Sequence, residues 1–262
     1  MSGRCYNPLR ACALLAGVVA VSMSVAPAGP ASAQMPPHPH QRSKASLTST
    51  ERWEYRILQN KDVKGHETIE KRVYDNNVVE FAIDAEMAYG PGVSMKQHIV
   101  LKLEEESFYP RSLHIAKTII QPDSTKFEHT VDVDMVSNVA VVSSLLNGKG
   151  DSRRQVLPTG IPMCEVGILG YYPQILFWYD RSVGGVQRFQ WFDPVVFGVN
   201  NGEIQMEKEE TIRVMGKNVK ASLFDLEREK LGPAKLWVDK DGVIVRGEMN
   251  FFVYEMLGKK KS

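Results

Sequence analysis

The chain has 262 residues, with 32 Lys and Arg against 31 Asp and Glu, for a formal net charge of +1. That balance excludes the basic excess by which a protein neutralises nucleic-acid phosphate. With 43% hydrophobic residues and three cysteines, the composition is that of a domain held by its core rather than by a disulfide framework.

The N-terminus has the three parts of a secretory signal. Arg4 and Arg10 form a basic start, Cys12 to Val25 is mostly apolar, and Pro27 and Pro30 break the run before Ala31-Ser32-Ala33. A membrane span needs about 20 apolar residues, and this run is shorter. Cys12 precedes it, whereas a lipidated cysteine would follow it. Residues 1–33 are therefore expected to be a signal peptide cleaved after Ala33, which places the mature chain in the periplasm or outside the cell. Cleavage removes Cys5, Cys12, Arg4 and Arg10. It leaves Cys164 without an intramolecular disulfide partner and takes the net charge below zero. No second long apolar run follows, so the mature chain is not expected to be an integral membrane protein. Residues 34–48, with Pro36, Pro37 and Pro39, are expected to be a disordered linker.

From about residue 50 the apolar period becomes two. Trp53, Tyr55 and Ile57 alternate with Glu54 and Arg56. The same pattern runs through Val79–Met87, Val93–Leu103 and Phe127–Met135. Alternation of this kind means strands with one buried face and one wet face. Turn residues separate them at Asn76-Asn77, Gly90-Pro91-Gly92, Gln121–Ser124, Ser137-Asn138, Asn200-Asn201-Gly202, Gly216–Asn218 and Asp239–Gly242. Such short connections favour antiparallel neighbours.

One segment breaks the alternation. Tyr172 to Val183 is followed by Gly184-Gly185, and Pro173 suits a first helical turn. A short helix ending at Gly184 is expected, with Ile175, Leu176, Tyr179 and Val183 on one face. A buried strand is the alternative. The expected fold is a single mainly β domain over residues 49–258. It is a large antiparallel sheet, curled as a half-barrel around one short apolar helix, with 259–262 as a solvated basic tail.

Candidate chemistry is sparse. His66-Glu67-Thr68-Ile69-Glu70 starts like a zinc-protease helix, but Glu70 stands where the second histidine is needed. His98, His114 and His129 lie on consecutive strands. Side-chain alternation turns His129 inward and His98 outward, so the three do not converge. Asp239-Lys240-Asp241-Gly242 lacks the further acids of a calcium loop and reads as a hairpin turn. Cys164 precedes Glu165, which disfavours a thiolate, so a buried inert thiol is expected. There is no G-x-S-x-G, phosphate-cradling glycine loop or C-x-x-C. The chain is expected not to be an enzyme and to use no metal or cofactor. Tyr171, Tyr172, Ile175, Phe177, Trp178, Phe189 and Trp191 are either plain core or the lining of an apolar cavity between sheet and helix.

Trp53-Glu54-Tyr55-Arg56-Ile57 with Gly65-His66-Glu67, the stretch Phe189 to Pro194, the strands around Gly216 and the closing Leu236 to Val243 resemble an uncharacterised bacterial periplasmic family. The chain departs from that pattern at Val245-Arg246-Gly247. The resemblance implies the half-barrel of the lipoprotein carriers LolA and LolB, and it brings no catalytic residues. The expected function is non-enzymatic binding of an apolar ligand, a lipid or a lipoprotein acyl chain, in the cell envelope. The alternative is an envelope interaction protein with a filled core. The deciding observation is whether the concave side of the sheet is hollow or packed.

Overall fold

The structure is a computed structural model and describes residues 45–262 other than Val166 and Lys230. The expected signal peptide, and the expected linker as far as residue 44, lie outside the described residues. Residues 46–262 form one compact unit. Its strands are β1 (Leu47–Gln59), β2 (Asp62–Tyr74), β3 (Val78–Gly90), β4 (Val93–Glu104), β5 (Pro110–Ile120), β6 (Lys126–Val136), β7 (Val139–Leu146) and β8 (Lys149–Val156). After a helix, α1 (Tyr172–Trp178), come β9 (Val186–Asp193), β10 (Gly198–Val214), β11 (Lys217–Arg228), β12 (Ala234–Asp239), β13 (Ile244–Met249) and β14 (Phe252–Lys261).

All fourteen strands belong to one antiparallel sheet, ordered β8-β7-β6-β5-β4-β3-β2-β1-β14-β13-β12-β11-β10-β9. Two meanders meet where β14 returns beside β1. The alternation expected from the sequence is what sorts the two faces. In β4, Met95, Ile99, Leu101 and Leu103 are buried while Lys96, His98 and Lys102 are exposed. The convex face carries cross-strand ion pairs: Arg56–Glu255 at 2.7 Å, Lys96–Glu86 at 3.2 Å and Lys235–Asp225 at 3.3 Å. That is the reverse of the apolar outer band of a lipid-facing barrel. Among the described residues no helix is long and apolar enough to cross a membrane.

The sheet is strongly curled. Laid flat, fourteen strands would hold the two edges about 60 Å apart. Instead the Arg153 guanidinium of β8 lies over the Phe197 ring that follows β9, 5.5 Å from its centroid. The chain between β8 and β9 crosses the concave side. There Ile168, Leu169 and Tyr171 are wholly buried and Tyr172 and Ile175 nearly so. A 3-10 turn at Leu169–Tyr171 leads directly into α1.

Several sequence expectations are corrected. Leu47 and Thr48 belong to β1, where the Thr48 hydroxyl donates to the Val73 carbonyl at 2.9 Å, so the linker stops short of residue 48. The basic end is no tail: Lys259 to Lys261 pair with Trp53 to Glu51 across β14–β1, and Lys261 meets Glu51 at 2.9 Å. Asn200-Asn201-Gly202 is strand, not turn. A Cβ on Gly202 would lie 2.6 Å from the Phe189 ring, so glycine here lets that ring cover the strand. The helix ends at Trp178 rather than Gly184, because the Asp180 carboxylate accepts the Ser182 N–H (2.8 Å) and hydroxyl (2.6 Å) and builds a turn. Val183 consequently leaves the expected apolar face and is exposed.

The packing of the crossing segment is tight. A Cβ on Gly170 would lie 2.5 Å from Ile83 Cδ1 and 3.3 Å from Ile69 Cγ1. Gly170→Ala is therefore expected to lower stability by about 1–3 kcal/mol, read from the urea midpoint at unchanged m-value.

Candidate functional site

Across β1 to β6 the buried part of the concave face is apolar except for one row. Strand register aligns Tyr55, Glu67, Ala85, Gln97, Lys117 and His129 across β1 to β6. Each of these shares parity with buried aliphatic neighbours on its strand, such as Ile69, Ile99, Ile115 and Val131. The crossing segment lies on this row. Glu67 accepts the Leu169 N–H at 3.1 Å and the Gly170 N–H at 2.8 Å, one on each carboxylate oxygen. Tyr254 donates to the Gly167 carbonyl at 2.6 Å. Further along, Gln97 and Lys117 both donate to the Glu165 carboxylate. His129 pairs with the Ser144 hydroxyl at 2.8 Å.

Burial dominates the electrostatics here. It pushes the Glu67 carboxyl up to about 7, against the two backbone donors that favour the charged form. Burial also raises the phenols of Tyr55, Tyr171 and Tyr254, with the Glu67 charge adding to each shift. It pulls the Lys117 ammonium down to about 8, with the Asp193 charge opposing. The Glu165 carboxylate touches the Lys117 ammonium. Burial likewise raises Cys164, with Asp193 adding, so the thiol stays protonated.

Helix α1 is fixed from both sides. The Gln174 amide donates to the Met163 carbonyl at 3.0 Å and accepts the Met163 N–H at 3.3 Å. Arg228 donates to the Tyr172 hydroxyl and to the Gly232 carbonyl (3.0 Å). The strand edge of β9 is covered by the same crossing segment. Phe192 N–H donates to the Pro162 carbonyl (2.8 Å) and Cys164 N–H to the Phe192 carbonyl (3.1 Å).

The seven residues expected to line an apolar cavity divide. Tyr171, Tyr172, Ile175 and Trp191 are buried in the core. Phe177 and Trp178 are 47% and 41% exposed, and stack on Phe108 and Tyr109 with centroids 4.3 Å and 5.3 Å apart. Phe189 is half-buried. The space between sheet and helix is filled, because the crossing segment supplies Ile168 and Leu169 where a ligand would have to lie. Open space lies instead at the seam beside β9, in a cleft of about 930 Å³. Ile175, Trp178 and Phe189 of the expected set line it, together with Ile161, Pro162 and Arg188. A second, smaller space of about 580 Å³ borders His66, Asp84, Lys96 and His98. Four of its charged or titratable side chains pair with one another, Asp84 with His98 at 2.7 Å and Lys96 with Glu86. His98 and His129 sit on opposite faces of the sheet, as their parity requires.

Sequence reasoning passed over Glu67, Gln97 and Lys117. A signal was present: each is a polar residue at the apolar parity of its strand. Glu165 carried none, since it lies in an irregular segment.

No family model matches the chain, and no curated protein matches it. Among solved structures it is similar to a β-barrel-like protein of domain of unknown function DUF1849 from Brucella abortus. The TM-score is 0.59 at 11% sequence identity, over 81% of this chain and 98% of that one. At that identity the likeness concerns the fold.

Two expectations follow. The folded protein holds the Glu67 proton up to about pH 7, whereas the unfolded chain releases it near 4.5. This group's contribution is therefore complete below pH 4.5 and is lost as pH rises to 7, by about 3 kcal/mol in total. Glu67→Gln should abolish that share of the difference between urea unfolding at pH 5 and pH 8. The Tyr171 hydroxyl is buried with no hydrogen-bond partner among the described residues. Tyr171→Phe should accordingly raise stability by about 1 kcal/mol, seen as a higher urea midpoint.

Proposed function

We propose that this chain is an exported, non-enzymatic binding protein of the cell envelope, holding an apolar ligand in the seam cleft. The ligand class is a lipid or the acyl chain of a lipoprotein. The observation that carries the reading is the cleft itself, whose volume of about 930 Å³ falls within the range of small-molecule sites. Ile161, Ile175, Trp178 and Phe189 offer it apolar and aromatic surface, and Arg188 and Glu203 stand at it as a 3.1 Å ion pair that suits a polar end group. The basic start, apolar run and small-residue site at residues 1–33 support export. The charged convex face supports a sheet that works in water.

A second reading, an envelope interaction protein without a ligand, is favoured by one observation: the concave side is packed rather than hollow. Titration with a fluorescent fatty-acid probe separates the two. Saturable uptake is expected, and Trp178→Ala and Phe189→Ala should each weaken it about tenfold, or about 1.4 kcal/mol. Leu257→Ala, an exposed apolar residue on β14 outside the cleft, should leave it unchanged. Failure of the wild-type chain to take up the probe would leave the interaction reading.

A further inference from the structure

The inner polar row has a part that plug anchoring does not explain. Tyr55 and Glu67 meet backbone groups: the Tyr55 hydroxyl donates to the Ile244 carbonyl at 2.7 Å, and Glu67 receives Leu169 and Gly170. Gln97 and Lys117 meet one side-chain carboxylate instead. Lys117 Nζ donates to Glu165 Oε1 and Gln97 Nε2 to Glu165 Oε2, so each oxygen has its own donor. Gln97 and Glu165 are buried, and the Lys117 side chain is 13% exposed. An ion pair so placed contributes little net stability compared with an apolar pair of the same shape. Packing alone therefore does not account for three polar groups here.

Their surroundings suit an amphipathic acid. On one side of the Gln97–Lys117–His129 row runs Met95–Ile119–Phe127, and on the other Ile99–Ile115–Val131. A cation and an amide donor thus stand between two apolar tracks. Beyond Lys117 the row continues to half-buried His129 and Ser144, toward the β8 edge where the side chains are exposed.

We propose that Gln97 and Lys117 form a carboxylate-binding site on the concave face, filled in cis by Glu165, and that it takes the carboxylate of a fatty acid in exchange for that side chain. The proposal shares the lipid class of its ligand with the cleft reading, and its site is a different one. In the wild-type chain the tethered Glu165 competes at high effective concentration. Removing it exposes the site.

The test uses the full chain with octanoate and octanol as probes, followed by isothermal titration and, for folding, circular dichroism. E165A is expected to bind octanoate at least tenfold more tightly than wild type. The gain should vanish in E165A/K117M and should not occur for octanol, which lacks the carboxylate. It should persist in a W178A background, which tests the cleft separately. A folded E165A with no gain, an equal gain for octanol, or loss of the gain with W178A would overturn the proposal. If E165A does not fold alone, octanoate should restore its circular dichroism but not that of E165A/K117M. Absence of that rescue would overturn it equally.

Discussion

The Glu67 carboxylate takes two backbone N–H groups from a segment more than a hundred residues away in sequence, and the concave side is organised around that clamp. A buried carboxylate without a cationic contact is costly unless its lone pairs are met. Leu169 and Gly170 meet them only if the chain passes directly over β2. Gly170 permits the approach, since a side chain would strike Ile83 and Ile69. Gly247 does the same on the opposite wall, where a Cβ would lie 2.7 Å from Leu169 Cδ1. Once the crossing segment is seated there, Tyr171, Tyr172 and α1 can go only into the space that a hollow half-barrel would leave for a ligand.

That filling moves the candidate site rather than removing it. A curled sheet whose edges approach must leave a seam. Here β9 is the edge that the crossing segment covers, through Pro162 and Cys164. The cleft opens where that cover parts from the sheet, between Ile161 and Phe189. The edge at β8 is managed differently: Lys149, Asp151, Arg153 and Arg154 are all exposed there, and charge on an edge strand discourages pairing with another chain. Covering one edge and charging the other keeps so large a sheet from extending.

The balance of polar groups is also divided between the faces. On the convex side most ion pairs are exposed and individually weak, as solvated pairs are, with buried Glu80 between Arg72 and Lys102 the exception. On the concave side fewer polar groups occur: Glu67, Gln97 and Lys117 find partners in the crossing segment, Tyr55 and His129 find theirs on the sheet, and the Tyr171 hydroxyl and the Trp53 indole N–H have none among the described residues. The same residue types thus keep the outer face wet and position the plug within.

The sequence by itself determined the strands, the one-faced burial and the start of α1, because alternation, turn residues and Pro173 act over a few residues. It also determined that His98 and His129 face apart. It did not determine where α1 ends, since that rests on the Asp180 side chain building its own turn. Nor did it place Asn200-Asn201-Gly202 in a strand, because that requires Phe189 lying across Gly202 from the neighbouring strand. Only the tertiary structure decided that the half-barrel is filled and that the open space lies at its seam. Glu67 and Gly170, or Lys117 and Glu165, are far apart along the chain, and no local pattern states that two such positions will meet. Curl and register bring them together, and those are properties of the whole sheet.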